Sequence, residues 1–440
     1  MKKTSMMYLV LAAILTVVLL VSGTVCSSPT ATPVPTKAPA TTGPTPTPVI
    51  LIATPTPGGP TPTQGAPEIL KIGNYGMIAG AGAAYGRAFT HSVELAVEDL
   101  NLSGGLVLGG KRYMFQVVTL DSGYAVDTGR ATGERLVNTE KVKYVFGVGT
   151  ANSLGVQEVT EKNKVLLLTE TWSNPVIAKD KVYTFRNMMG GDGQEASIYS
   201  VMKALYPDKK KVYYQSTDTI TWRQGYEVSI PANEKNGYQT VGIDYADPAI
   251  TDWYPVVTKI KAAKPDFVDL FMSAVYAGPF FKAAHELGLH PGTQLIWPVG
   301  DGVQAALSVA GKEAAEGIFF TQEWDWYGKF MSDTGKAYAK RYKDRFGEEV
   351  TIHGFLAYDM VFGLVEAMKK TNSLDPTVLK DAIPDLKWAS PSMGKDSVLE
   401  FVDVGGRKAG MVYNQVLGQY KDGKVVNVAL MHPTKPPVFN

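Results

Sequence analysis

Two histidines in the stretch HELGLH, His285 and His290, invite a zinc site. They stand five residues apart, so on a helix they face different sides, and the zinc-protease spacing is not met. Ser153, in ANSLG, resembles a nucleophile elbow with alanine replacing the first glycine. An esterase would need a histidine beside it. None of the five histidines (His91, His285, His290, His353 and His432) can be set next to Ser153 from sequence. Helix-start capping accounts equally well for Asn152 and Ser153, and the amides of such a start bind carboxylates without catalysis. In GNYGMIAGAGAAYG, the pair Gly80 and Gly82 is followed by Gly86, one residue late for a dinucleotide fingerprint. These glycines fit a turn and a close backbone approach to a ligand instead. No nucleotide cofactor, no metal and no catalytic set is expected.

The polar aromatic clusters carry a different chemistry. TETWSNP (Thr169 to Pro175) follows the apolar run Val165 to Leu168 and places Trp172 between Thr171 and Ser173. Trp222 lies in TDTITWRQGYE, Ser273 and Tyr276 follow the run Phe267 to Phe271, and Asp301 lies in WPVGDG. Each cluster comes after a strand-like run, which is where parallel sheets bind ligands. Hydroxyls, aromatics and one acid on such loops suit recognition of a small molecule better than bond breaking.

The elements that must position these loops alternate. Strand-like runs at Ile69 to Gly73, Tyr113 to Leu120, Tyr144 to Phe146 and Val165 to Leu168 are separated by helical patterns at Phe89 to Leu100, Thr128 to Val137 and after Asn152. The rhythm restarts with strands at Val212 to Tyr214, Gln239 to Ile243, Phe267 to Phe271, Gln294 to Trp297 and Gly317 to Phe320. Helices are expected among these at Gln224 to Ala232, Trp253 to Ala263 and Phe280 to Leu287, then at Phe330 to Phe346 and Phe355 to Met368. Met411 to Leu417 and Val425 to Met431 read as late strands. This is an α/β chain of two doubly wound, Rossmann-like lobes with a ligand cleft between them. RNMMGGDGQE reads as the segment crossing from one lobe to the other.

The ends add a membrane context. Lys2 and Lys3 precede an apolar run from Met6 to Val21, read as a secretory signal or an uncleaved anchor over residues 1–26. The one cysteine, Cys26, sits where a lipidated cysteine would. Residues 27–67 are rich in threonine and proline, cannot bury a core, and read as a disordered stalk, with threonines open to O-glycosylation. Asn101 begins an NLS sequon. A net charge of +1 offers no field for nucleic acid, and a monomer on the outer face of the cell membrane is expected.

The body is similar to the extracytoplasmic solute-binding proteins of branched-chain amino acid ABC transporters, of the type I periplasmic-binding-protein fold. The resembling stretches are LKIGNYGMIAGAGAAYG, AVEDLNLSGG, KVKYVFGVGTANS, PDFVDLFMSAVYAGPFFKAAHELGL and AGKEAAEGI, spread over Glu68 to Met431. The resemblance implies three hinge crossings, near Met188 to Gly193, Phe320 to Glu323 and Lys408 to Met411. It implies an N-terminal lobe of residues 68–188 and 322–408 and a C-terminal lobe of residues 189–321 and 409–440. It also implies a ligand carboxylate held by Asn152, Ser153, Thr171 and Ser173, with aromatic cover from Tyr85 and Trp222 and a further contact near Ser273. The family glutamate for an α-amino group is replaced by Val299, with Asp301 two residues on. An amino acid is thus the default ligand, and an amide, a urea-like compound or an aromatic solute the alternative. The expected partner is a transporter permease; a ligand-sensing ectodomain acting through a separate partner is the rival.

Overall fold

The computed structural model describes residues 66–80, 82–300, 302–322 and 332–440. The expected anchor and nearly all of the stalk lie outside these residues, as do Cys26 and Asp301.

The first six strands are β1 (Glu68–Gly76), β2 (Leu106–Leu108), β3 (Lys111–Asp121), β4 (Tyr144–Val148), β5 (Leu166–Glu170) and β6 (Thr184–Arg186). The next five are β7 (Lys211–Thr217), β8 (Gln239–Ala246), β9 (Phe267–Phe271), β10 (Gln294–Trp297) and β11 (Phe319–Gln322). Then come β12 (Lys387–Ser390), β13 (Gly394–Val404), β14 (Arg407–Val412), β15 (Gln415–Lys421), β16 (Lys424–His432) and β17 (Lys435–Phe439). Among the described residues they form two sheets, ordered β12-β13-β14-β6-β5-β4-β1-β3-β2 and β17-β16-β15-β11-β10-β9-β7-β8. The centre of each sheet is parallel: β1 pairs with β3 and β4, β4 with β5, β7 with β8 and β9, and β9 with β10. The additions to one side of each sheet are antiparallel hairpins, which need no helix to connect them.

Local sequence explains the central strands. Every residue of β4, β5 and β9 is buried, as expected of strands covered by helices on both faces. Leu166, Leu167 and Leu168 are all at 0 % exposure, and each contributes on the order of 2 kcal/mol of apolar burial. The helices Ala83–Leu102 and Ile352–Thr371 pack together over one face of the first sheet. The latter supplies a long apolar face around Phe355, Leu356, Met360 and Leu364.

Where the structure departs from the expected elements, long-range packing is the reason. Met411 to Leu417 is not one strand. Met411 and Val412 belong to β14 in the first sheet, and Gln415 begins β15 in the second. The chain therefore passes between the sheets at Tyr413 and Asn414, later than the expected Lys408 to Met411. The earlier passage lies between Arg186 and the helix Gly191–Leu205. That helix occupies much of a stretch with little sequence periodicity, because Ile198, Val201 and Met202 are buried against the second sheet. The expected helix after Asn152 begins earlier, at Thr150.

Candidate functional site

The sequence-derived site residues of the first sheet gather where parallel strands end. Tyr85 is in the first turn of the helix after β1. Asn152 and Ser153 are in the first turn of the helix Thr150–Lys162 after β4. Thr171, Trp172 and Ser173 follow β5 directly. From the second sheet, Trp222 lies in the first turn of the helix Ile220–Lys235 after β7. Ser273 caps the helix Ala274–Glu286 after β9, and Tyr276 lies in that helix's first turn.

Two glycines make the Ser153 turn possible. Gly149 has φ 108°, a left-handed value, and a Cβ there would fall 2.3 Å from the Asn152 side-chain oxygen. At Gly147 a Cβ would sit 2.0 Å from the Tyr75 ring. With no side chain there, the Tyr75 hydroxyl reaches Ser153 Oγ at 2.7 Å and Thr169 Oγ1 at 3.2 Å, and Ser153 Oγ bonds Thr169 Oγ1 at 2.7 Å. Burial pushes the Tyr75 phenol up to about 12, so it remains a neutral donor. Ser153 is therefore engaged inside the first sheet's packing at 0 % exposure. Among the described residues no histidine bonds to it, so the base an esterase needs is not beside it.

Asn152 is engaged in the same way: its Nδ2 donates to Ser122 Oγ at 2.8 Å and to the Val148 carbonyl at 2.9 Å. Thr171 Oγ1 bonds Thr150 Oγ1 at 2.8 Å and accepts from the Ser173 amide at 3.2 Å.

The tryptophans do meet across the two sheets' elements. Trp172 and Trp222 lie edge to face with ring centroids 5.9 Å apart, and Phe271 at the end of β9 meets Trp172 edge-on at 5.2 Å. Trp222 is set in place by its own amide, which donates to the N-cap hydroxyl of Thr219 at 3.3 Å. The two rings are thus in direct edge-to-face contact. Two polar contacts make the same crossing: the Ser173 hydroxyl donates to Gln224 Oε1, and the Tyr124 and Thr221 hydroxyls bond.

Other residues stand apart. The Tyr276 hydroxyl donates to the Pro248 carbonyl at 2.9 Å, and its ring meets Trp253 edge-on at 6.4 Å, within the second sheet's own packing. Ser273 accepts through its carbonyl from the amides of Tyr276 and Ala277. Val299 is buried. His290 bonds the carbonyls of Thr293 and Glu316, as an ordinary buried histidine does. Among the described residues no group of three or more potential metal ligands occurs.

Phe271, Tyr124, Thr221, Gln224 and Glu170 were not singled out from sequence. Phe271 reads as core, because a strand's last residue looks like the rest of the strand. Glu170 was visible within TETWSNP as a charged residue ending an apolar strand, and that was its only signal.

A family model for the periplasmic binding proteins matches residues 69–406, and the chain belongs to that family. A Leu/Ile/Val-binding protein homologue of Brucella melitensis is 24 % identical over 364 residues, 82 % of this chain and 93 % of that one. The leucine-binding protein LivK of Thermotoga maritima superposes with a TM-score of 0.67 at 20 % identity, over 83 % of this chain and 99 % of its own. A Rhodopseudomonas palustris transporter solute-binding protein crystallised with 3,4-dihydroxybenzoic acid superposes with a TM-score of 0.65 at 22 % identity, over 84 % and 99 %. The two-lobe fold of these proteins is that of the two sheets described above.

Proposed function

We propose that this chain is an extracytoplasmic solute-binding protein of an ABC transporter, which captures a small solute, most simply an amino acid or a related compound, by lobe closure and delivers it to a permease. The observation that carries this reading is the set of contacts joining loops at the carboxyl ends of both parallel sheets: Trp172 with Trp222 and Phe271, Ser173 with Gln224, and Tyr124 with Thr221. Groups that meet only when two lobes approach are what a ligand touching both lobes would hold together.

The lobes proposed are residues 68–188 and 322–408, and residues 189–321 and 409–440, with Gln322 moved to the second lobe because it ends β11 there, and the last boundary moved to Tyr413 and Asn414 to respect β14. Residues 1–26 would tether the chain to the membrane, as a peptide anchor or through a lipid on Cys26, and residues 27–67 would hold the monomeric body away from it. No bond is made or broken in the solute. The partners of Ser153, a tyrosine and a threonine, support that view. The aromatic wall of Trp172, Trp222 and Phe271 favours a second reading, in which the solute is an aromatic acid.

Isothermal calorimetry of the chain against amino acids and hydroxybenzoates, paired with small-angle scattering, tests the proposal. Binding with a measurable contraction is expected. Turnover of any bound solute, or no response from either class, would count against it.

A further inference from the structure

Glu170 is the last residue of β5, immediately before Thr171 and Trp172, and its side chain is buried at 1 % exposure. One carboxylate oxygen, Oε1, bonds Nδ1 of His353. The other, Oε2, is buried and has no hydrogen-bond partner among the described residues. His353 is itself buried, in the first turn of the helix Ile352–Thr371. Tyr85 meets the His353 ring edge-on, with centroids 5.0 Å apart.

Three elements thus converge: the carboxyl end of β5 and the first turns of two helices that pack side by side. All three ends lie on the side of the sheet where Trp172 leaves for its contacts with the second sheet. A buried carboxylate oxygen with no donor is unfavourable, and structures retain such groups where something else completes them. Among the described residues its ion-pair partner is His353, with no lysine or arginine beside it.

We propose that Glu170 anchors the amino group of the solute, its Oε2 accepting from an ammonium, with His353 as a positioning residue that holds the carboxylate and Tyr85 walling the site. An ammonium supplies the donor that Oε2 lacks through a charge-assisted bond, which a neutral hydroxyl does not. Amine recognition then sits on the first lobe, not on the loop of Val299 that the family pattern suggests. The inference rests on the solute-binding reading above.

The test uses the full chain, the standard amino acids, their des-amino acids such as 4-methylpentanoate, and 4-hydroxybenzoate, with affinities read by calorimetry. The wild type is expected to bind at least one amino acid and to bind its des-amino analogue about ten- to a hundredfold more weakly. Glu170→Gln is expected to erase that preference while leaving the melting temperature of the free protein within a few degrees. His353→Asn is expected to narrow the preference, an effect that a loss of packing alone would not produce. Because the ligand series is run on the wild type, the inference stays testable even if a variant fails to fold. Equal binding of the amino acid and its des-amino analogue, or a response to 4-hydroxybenzoate alone, overturns the inference and leaves the solute-binding reading standing. Silence to the whole panel overturns both.

Discussion

Replacing Trp222 by alanine is the perturbation that separates closure from folding. Trp222 makes one ring contact across the sheets, with Trp172 at 5.9 Å, and one within its own sheet, with Phe271 at 5.9 Å. Aromatic pairs of this kind are worth about 0.5–1.5 kcal/mol beyond their buried area. The pair with Trp172 exists only when the lobes are together, so its loss falls on the closed state. A loss of about 1 kcal/mol lowers the closed-to-open ratio about fivefold, and apparent affinity falls by the same factor when the closed state is the competent and minor one. The loss of apolar area closed off between the lobes would add to this. The pair with Phe271 belongs to the second lobe alone, and its loss appears in the melting temperature of the free protein.

The assay is calorimetric affinity for a solute found in the panel, alongside thermal melts of the free protein, for Trp222→Ala and Trp222→Phe. The alanine variant should bind roughly five- to fiftyfold more weakly, and phenylalanine should recover part of the loss. An unchanged affinity for Trp222→Ala would refute the reasoning, because the cross-sheet ring contact would then contribute nothing to the bound state.

The remaining predictions concern the groups beneath the site. Asp269 and Glu195 are buried together in the second sheet's packing, and burial raises both carboxyls, Asp269 to about 7 and Glu195 well above its usual value. Buried Asp359 is also raised to about 7 by desolvation, against the opposing bonds from Ser390 and Ser392. Their folded values lie above their unfolded ones, so this contribution to stability is complete below about pH 4 and is lost as the pH rises toward 7, at about 1.4 kcal/mol per pH unit for each proton held only by the folded state. Melting curves at pH 5 and pH 7.5 should therefore show a smaller drop in Asp269→Asn than in the wild type; an equal drop would remove Asp269 as a source. Ser153→Ala leaves the Tyr75 and Thr169 hydroxyls with one partner fewer, and chemical denaturation should show a loss of about 1–2 kcal/mol with solute affinity nearly unchanged. A selective loss of binding in that variant would return Ser153 to the site.

Some of this architecture was open to reading in one dimension. Val165 to Leu168 and Phe267 to Phe271 are continuous apolar runs, and a strand covered on both faces needs no other pattern. Their ends were legible too, because TETWSNP breaks the apolar run with polar and aromatic residues at once. The α/β class, the two halves and the loops of Trp172 and Trp222 follow from such local signals, along with the body's family resemblance.

Only the tertiary structure decided which side chains those loops spend on themselves. Ser153 looks like a ligand or nucleophile residue because its neighbours in sequence suggest a helix start. Its hydroxyl is taken by Tyr75 from β1 and Thr169 from β5, residues 78 and 16 positions away. The late strand splits at Tyr413 because two different sheets compete for its halves, and strand pairing is a long-range choice that local pattern cannot express. Glu170 and His353 are 183 residues apart, and nothing in either neighbourhood announces the other. Composition and periodicity determine which elements form. Which buried carboxylate is left with an empty oxygen depends on how those elements pack, because hydrogen-bond satisfaction is a property of three-dimensional neighbours.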